Sequence, residues 1–174
     1  MRMLKFVGGV LIFGAASMYG FMQAAHYVRR PKQIRGLISA LGRMETEIAY
    51  ALTPLPEAFA SLSKQVADPL STLFRLMSER LLGSNGESTK DLWQKTVKEV
   101  WARTSMRQAE QEVILGLGPV LGLSDRSDQI KHLRLAISQL QSEETDARDE
   151  QQRYEKMWKS LGVLIGALVV ILMY

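Results

Sequence analysis

The side chains from which a reactive site could be built are few in kind. There are two histidines, eighteen carboxylates and no cysteine. Without a thiol there is no disulfide, no thiolate nucleophile and no thiolate metal site. His132 follows Asp128 by one helical turn, which supplies half of a metal site. A closed site needs about four ligands, and no third ligand follows at helical spacing. The pair reads as solvated polar groups. His26 stands alone at the end of an uncharged run. Glu143-Glu144 and Asp149-Glu150 are paired acids of the kind used in acid–base chemistry. Arg148, Arg153 and Lys156 alternate with them, however, and no apolar surroundings raise a carboxyl pKa. No GxxxxGK[ST] phosphate loop is present. Gly116, Gly118 and Gly122 miss the dinucleotide-binding spacing by one residue and follow no strand, so they read as a helix terminus and turn. These residues predict no catalytic site, no metal and no cofactor: the chain reads as non-enzymatic.

What positions these residues is announced by charge. All eighteen acidic residues lie between Glu45 and Glu155, and Arg29 to Lys156 holds 19 basic residues against those 18. Three of the four excess charges therefore come from Arg2, Lys5 and Lys159, beside the two most apolar segments. A basic nucleic-acid face would concentrate charge in the domain, interleaved with aromatics. That pattern is absent, so nucleic acid is not an expected partner.

Phe6 to Val28 carries no charge and is long enough to cross a hydrocarbon core of about 30 Å. A cleaved signal peptide is the alternative, with Arg2 and Lys5 in front and Ala15-Ala16-Ser17 as a small-residue cleavage site. The basic cluster Arg29, Arg30, Lys32 and Arg35 that follows favours a retained anchor. Ser160 to Tyr174 is also uncharged. With Trp158 and Lys159 at the interface, it is expected to form a second anchor. Three segments result: an N-terminal transmembrane anchor (1–28), a soluble helical-bundle domain (29–156) and a C-terminal transmembrane anchor (157–174). The flanking bases Arg29, Arg30, Lys32, Arg35, Lys156 and Lys159 put the domain on the cytoplasmic side. The cluster Arg29-Arg30-Pro31-Lys32 could also attract anionic headgroups, which makes membrane lipid a partner. Ala16, Gly20 and Ala24, and Gly162 and Gly166, recur every four residues, the spacing that lets membrane helices approach closely.

Between the anchors the apolar period is helical throughout. Ile34, Leu37, Ile38, Leu41, Met44 and Ile48 form a first stripe opening after Pro31. Thr53-Pro54 predicts a cap and first-turn proline for a helix carrying Leu55, Phe59, Leu62 and Val66. Asp68-Pro69 repeats the device before Leu70, Leu73, Phe74, Met77 and Leu81. Gly83 to Glu87 is a loop. Ser88 caps a fourth helix with Trp93, Val97, Val100 and Trp101 inward. A fifth carries Met106, Ala109, Val113 and Leu117, and stops at Gly118-Pro119. The last starts near Ser124 or Ser127 and runs unbroken into the C-terminal anchor, its seam turning polar at Glu144 and Gln151, as a solvent-exposed stalk would. The expected class is all-α: an antiparallel bundle of about six helices between two transmembrane helices.

Two blocks in this pattern are specific in combination: RRPKQIRGLISAL followed by EIAYALTPLPEAF, within Arg29 to Phe59, and LGLSDRSDQIKHLRLAISQL, at Leu121 to Leu140, followed by EQQRYEKMWKSLGVLIGALVVILMY. They resemble the stage III sporulation protein AB family over nearly the whole chain, with Ser78 to Ala102 matching mainly in helical character. The resemblance implies a component of a channel assembly in the mother-cell membrane around the forespore. It implies a domain similar to the cytoplasmic helical domains of type II secretion platform proteins, and a sister sporulation ATPase and other channel-complex proteins as partners. Secretion platform proteins carry two such domains, so a homo-oligomer is expected to supply the second. Pro31, Thr53, Pro54, Gly122, Ser124 and Asp125 match the family blocks, and their types read as caps and turns, with docking as the alternative role for Ser124-Asp125. A membrane-tethered adaptor or lipid-binding module without a channel role is the competing function.

Overall fold

Apolar residues that return every three or four positions are buried most simply by helices. The computed structural model describes residues 2–51, 53–84, 86–122 and 125–173, with only part of the side chains in the terminal segments, and among them the regular elements are all helical. Six α-helices follow one another: α1 (Arg2–Thr46), α2 (Leu55–Ser63), α3 (Leu70–Leu82), α4 (Thr89–Trp101), α5 (Gln108–Leu115) and α6 (Arg126–Met173). A single π turn, Glu47–Ala51, extends the end of α1. The chain forms two compact units, Lys32–Thr145 and Met1–Pro31 with Asp146–Tyr174.

In the larger unit the expected stripes face inward. Ile34, Leu37, Leu41 and Met44 of α1 are fully buried, as are Leu133 and Leu140 of α6. Each such side chain contributes about 2 kcal/mol by leaving water. The aromatic centre is Phe59 of α2, whose ring lies 6.0 Å from Phe74 of α3 and 5.6 Å from Trp93 of α4. The Trp93 indole donates a hydrogen bond to the Ile114 carbonyl at 2.7 Å, so α5 is held to the same centre. Polar ties complete the packing. The Ser78 hydroxyl donates to the Pro56 carbonyl at 2.7 Å, and the Ser105 N–H donates to Gln33 Oε1 at 2.7 Å, fixing the α4–α5 turn to α1. Arg35 pairs with Glu144 at 2.8 Å and Arg134 with Glu45 at 2.7 Å, which sets α1 and α6 antiparallel.

Several local expectations are corrected. Helix α1 does not open after Pro31 but runs through it. The proline removes one N–H that the Tyr27 carbonyl would accept, and burial of its neighbours Arg30 and Ile34 keeps the segment helical. Thr53 does not cap α2. Pro54 holds the cap position without a side-chain bond, and the Thr53 hydroxyl donates instead to Glu47 at 2.7 Å, closing the π turn. Helix α2 ends at Ser63, short of Val66. At the third helix Pro69 is the cap residue, joined to Asp68 by a cis peptide bond. In α5 the inward face is Glu110 and Ile114, with Ala109 exposed. The register turns because the Glu110 carboxylate is drawn in by the Arg107 N–H, at 2.8 Å. Ser88 caps α4 as expected, accepting from the Asp91 N–H at 3.1 Å.

Among the described residues no helix is long and apolar enough to cross a membrane, so the two expected transmembrane helices find no support there. The C-terminal uncharged run of 15 residues measures about 22 Å as a helix, less than a hydrocarbon core. The side chains of Ala16, Gly20, Ala24, Lys159, Gly162 and Gly166 lie outside the described residues.

Candidate functional site

The polar residues singled out by the sequence fall into two groups, which the structure treats differently. The first group lies where α1 ends and α6 begins. Here the two family-like blocks meet. Gly122 has φ +80°, and a Cβ at that position would stand 2.8 Å from Leu55 Cδ1 and 3.5 Å from the Thr89 hydroxyl. Only glycine takes this backbone conformation without strain, so the α5–α6 turn seats against the start of α2 and of α4. Asp125 caps α6: its Oδ1 accepts from the Asp128 N–H at 2.9 Å and from the Ser127 hydroxyl at 2.8 Å. Ser124 lies outside the described residues. Tyr50, in the π turn, is 84% exposed at the same end of the bundle, and Pro54 is exposed beside it in sequence.

The Asp125 carboxyl is held below its ordinary value of 3.8, first by the Asp128 N–H and then by the Ser127 hydroxyl. Asp68 is lowered in the same direction, first by the Thr72 hydroxyl and then by that of Ser71. Both bonds stabilise the charged form. The folded state therefore holds fewer protons at these sites than the unfolded chain below about pH 4. Their contribution to stability is full above that range and is lost as the pH falls through the lowered folded values. Asp125→Ala is expected to lower Tm at pH 7, and Asp125→Asn to retain most of it, since Asn is also a good cap. The difference between wild type and Asp125→Asn should shrink as the pH falls from 5 to 3, measured by circular dichroism. An undiminished difference would contradict the assignment.

The second group is the basic cluster. Two of these expected membrane flanks, Arg30 and Arg35, also bind carboxylates of α6. The Arg30 side chain is 7% exposed and its Nη1 donates to Glu150 Oε2 at 3.1 Å. Arg35 binds Glu144, whose side chain is 13% exposed. Arg29, Lys32 and Lys156 are exposed. Pro31 is buried in the interior of α1. The polar second half of α6 is thus no free stalk: Ala147 is buried, and the carboxylates at 144 and 150 serve α1. Sequence reading missed these pairs because the partners are 109 and 120 residues apart. The available signal was compositional: a basic stretch of α1 facing an acidic stretch of α6.

Nothing in either group forms a reactive constellation. His132 Nε2 stands 3.7 Å from Asp128 with both side chains exposed. Among the described residues no three metal-ligating side chains converge. Two open depressions on the α3–α4 side, of about 320 and 500 Å³, are lined by Glu87, Lys95 and their neighbours, and Glu87 and Lys95 already pair with each other at 3.1 Å.

A helical bundle in which no metal-ligating side chains converge among the described residues is best identified by its whole pattern, and residues 5–174 match the family model for stage III sporulation protein AB. The chain belongs to the stage III sporulation protein AB family. It is 43% identical over 171 residues to stage III sporulation protein AB of Bacillus subtilis (strain 168), covering 98% of this chain and 99% of the relative. A solved structure of stage III sporulation protein AB matches with a TM-score of 0.67 and 41% identity, over 72% of this chain and 98% of that one. The family match therefore rests on sequence and fold together. These relatives are named for sporulation and not for a reaction.

Proposed function

We propose that this protein is a non-enzymatic, membrane-anchored component of a sporulation assembly in the mother-cell membrane around the forespore. Its helical bundle faces the cytoplasm and couples a sister sporulation ATPase to the other proteins of a secretion-like channel. One observation carries the membrane part. In the smaller unit the large apolar side chains of the uncharged runs point outward: Met18, Tyr19, Phe21 and Met22 on α1, and Leu164, Ile165, Leu168 and Ile171 on α6 are all more than half exposed. A contiguous apolar surface of this kind marks a lipid or protein contact. The basic flanks support the cytoplasmic placement. The coupling role rests on family membership and on the lack of any reactive constellation among the described residues. A second copy of the bundle, as in a homo-oligomer, would complete a platform with two domains per functional unit.

The test is made on the full-length chain expressed in a spore-forming host. The protein should stay in the membrane pellet after carbonate washing. Replacing Met18, Met22, Leu164 and Leu168 together by Asn should release a large fraction of it, since each polar residue at membrane depth is costly. Detergent extracts should yield the ATPase together with the tagged protein. Recovery of the wild type in the soluble fraction would overturn the anchoring. Normal sporulation with no co-purifying ATPase would overturn the coupling and leave a membrane-tethered adaptor.

A further inference from the structure

In the unit Lys32–Thr145 the turns gather at two ends, and the ends differ in charge. At one end Gly122 seats its turn against Leu55 of α2 and Thr89 of α4. The three turns there, 47–54, 83–88 and 116–125, hold Glu47, Glu87 and Asp125 and no basic residue. At the other end α1 enters the unit. Lys32 follows Val28, the last residue of the uncharged run, by four positions of unbroken helix. The turn 102–107 is tied to this end by the Ser105 N–H, which donates to Gln33 Oε1 at 2.7 Å. The turn 64–69 adjoins it, since a Cβ on Gly36 would stand 3.3 Å from Leu70 Cδ1. Gly36 follows Lys32 by one helical turn, so both lie on one side of α1. Lys32, Arg103 and Arg107 are all exposed. The other charges at this end do not offset them. Lys64 and Asp68 of the turn 64–69 balance each other. Asp68 is held below its ordinary value first by the Thr72 hydroxyl, then by Ser71, with a smaller share from the Arg103 charge, which places Arg103 near that turn. On α6, Glu143 and Glu144 are both partly shielded, and Glu144 is bound to Arg35. The end of the bundle that follows the uncharged run is basic, and the far end is acidic.

We propose that the turn 102–107 is a membrane contact in its own right: Arg103 and Arg107, together with Lys32, bind the headgroups of anionic lipids. The contact rests on the anchoring proposed above. It adds a lipid-binding surface some 70 residues away in sequence from the basic flank of α1, joined to it only by the fold. Charge complementarity and position together select the occupant. An acidic protein would satisfy the charge, but the continuity of α1 with the uncharged run brings the bilayer itself to this end. Lys32 lies about 6 Å of helix rise beyond Val28, which is within the Debye length of about 8 Å at physiological salt. Gln33 holds the turn 102–107 level with it. Each Lys or Arg so placed raises partitioning to an anionic surface about fivefold. Trp101 and Met106 are buried in the bundle, so the turn offers charge to headgroups and no apolar side chain to the hydrocarbon. Held by its anchors and by this turn, the bundle keeps its acidic end directed away from the membrane.

The chain has no cysteine, so single probes can be placed at will. Ala102→Cys in the turn and Ser84→Cys at the far end, both at exposed positions, are introduced separately into the full-length chain. Each is reconstituted at one copy per nanodisc, in phosphatidylcholine alone or with about one third phosphatidylglycerol. Labelling of Ala102→Cys by a bulky maleimide should be several-fold slower in the anionic discs, and labelling of Ser84→Cys should be the same in both. Salt at about 1 M, where the Debye length is about 3 Å, should remove the difference. Lys32→Gln with Arg103→Gln should remove most of it, and the charge-keeping pair Lys32→Arg with Arg103→Lys should retain it. Equal labelling of Ala102→Cys in the two lipids would overturn the contact, as would equal protection of Ser84→Cys or loss of protection in the charge-keeping pair. One copy per disc excludes a second chain as the covering surface. Flotation with neutral liposomes tests the anchoring by itself. Protein that does not float there, yet binds anionic liposomes through Lys32 and Arg103, would sink the anchoring alone. Protein that floats with both and is labelled equally in both would sink the headgroup contact alone.

Discussion

Trp93→Ala should destabilise the bundle by about 4 kcal/mol and lower Tm by roughly 10–20 °C. The ring is fully buried and stacks on Phe59, and its N–H satisfies the Ile114 carbonyl. Truncation removes all three at once: apolar burial, an aromatic pair and a buried hydrogen bond. The surroundings cannot collapse to fill the space, because helices from several parts of the chain meet there. Gly118 is part of the same fit, since a Cβ on it would stand 2.9 Å from Trp93 Cδ1. Against a typical stability of about 5–15 kcal/mol, such a loss is large enough to reduce the amount of folded protein in the cell. Trp93→Phe keeps the stacking and loses the hydrogen bond, while the Ile114 carbonyl still accepts from the Leu117 N–H at 3.2 Å, so the lost bond should cost about 0.5–1.5 kcal/mol. Thermal melts of the full-length protein in detergent measure both. Equal Tm values for wild type and Trp93→Ala would show that the aromatic centre does not hold the fold.

The parts legible in the sequence are those set by neighbours on the chain. The stripe from Ile34 to Met44, the Ser88 cap and the start of α6 each depend on spacing within two turns, and each is found in place. The parts that were misread depend on distant residues. Pro31 has the local profile of a helix start, yet packing around Arg30 and Ile34 carries the helix through it. Thr53 has the profile of a cap, yet Glu47 of the π turn takes its hydroxyl. Glu110 would be placed on a wet face by its type, yet it is fully buried where the backbone N–H of Arg107 meets it. The basic cluster has a use that likewise depends on distant residues. Arg30 and Arg35 carry the sequence signature of a membrane flank, and in the folded chain their guanidinium groups bind carboxylates of α6. Topology signal and helix clasp are compatible uses of one charge, but only the first can be read from sequence.

At the opposite end of α1, Gly122→Ala should cost about 2–3 kcal/mol, from two separable causes. A left-handed backbone costs an L-residue with a Cβ about 1–2 kcal/mol, and the φ of +80° at Gly122 imposes that cost. The remainder is steric, because the new methyl would stand 2.8 Å from Leu55 Cδ1, which must shift. The two causes part in a double-mutant cycle. In a Leu55→Ala background the steric share disappears and the backbone share stays, so Gly122→Ala should cost about 1–2 kcal/mol there. Chemical denaturation of the four proteins in detergent reads the cycle. An unchanged cost in the Leu55→Ala background would show that the α5–α6 turn does not seat on α2. A cost near zero in both backgrounds would show that the turn does not need the left-handed conformation. The turn joins the two sequence blocks that mark the family, so this cycle also tests whether glycine stands at their junction for packing. If it does, sporulation should fall with the folded fraction across the four proteins and show no loss beyond it.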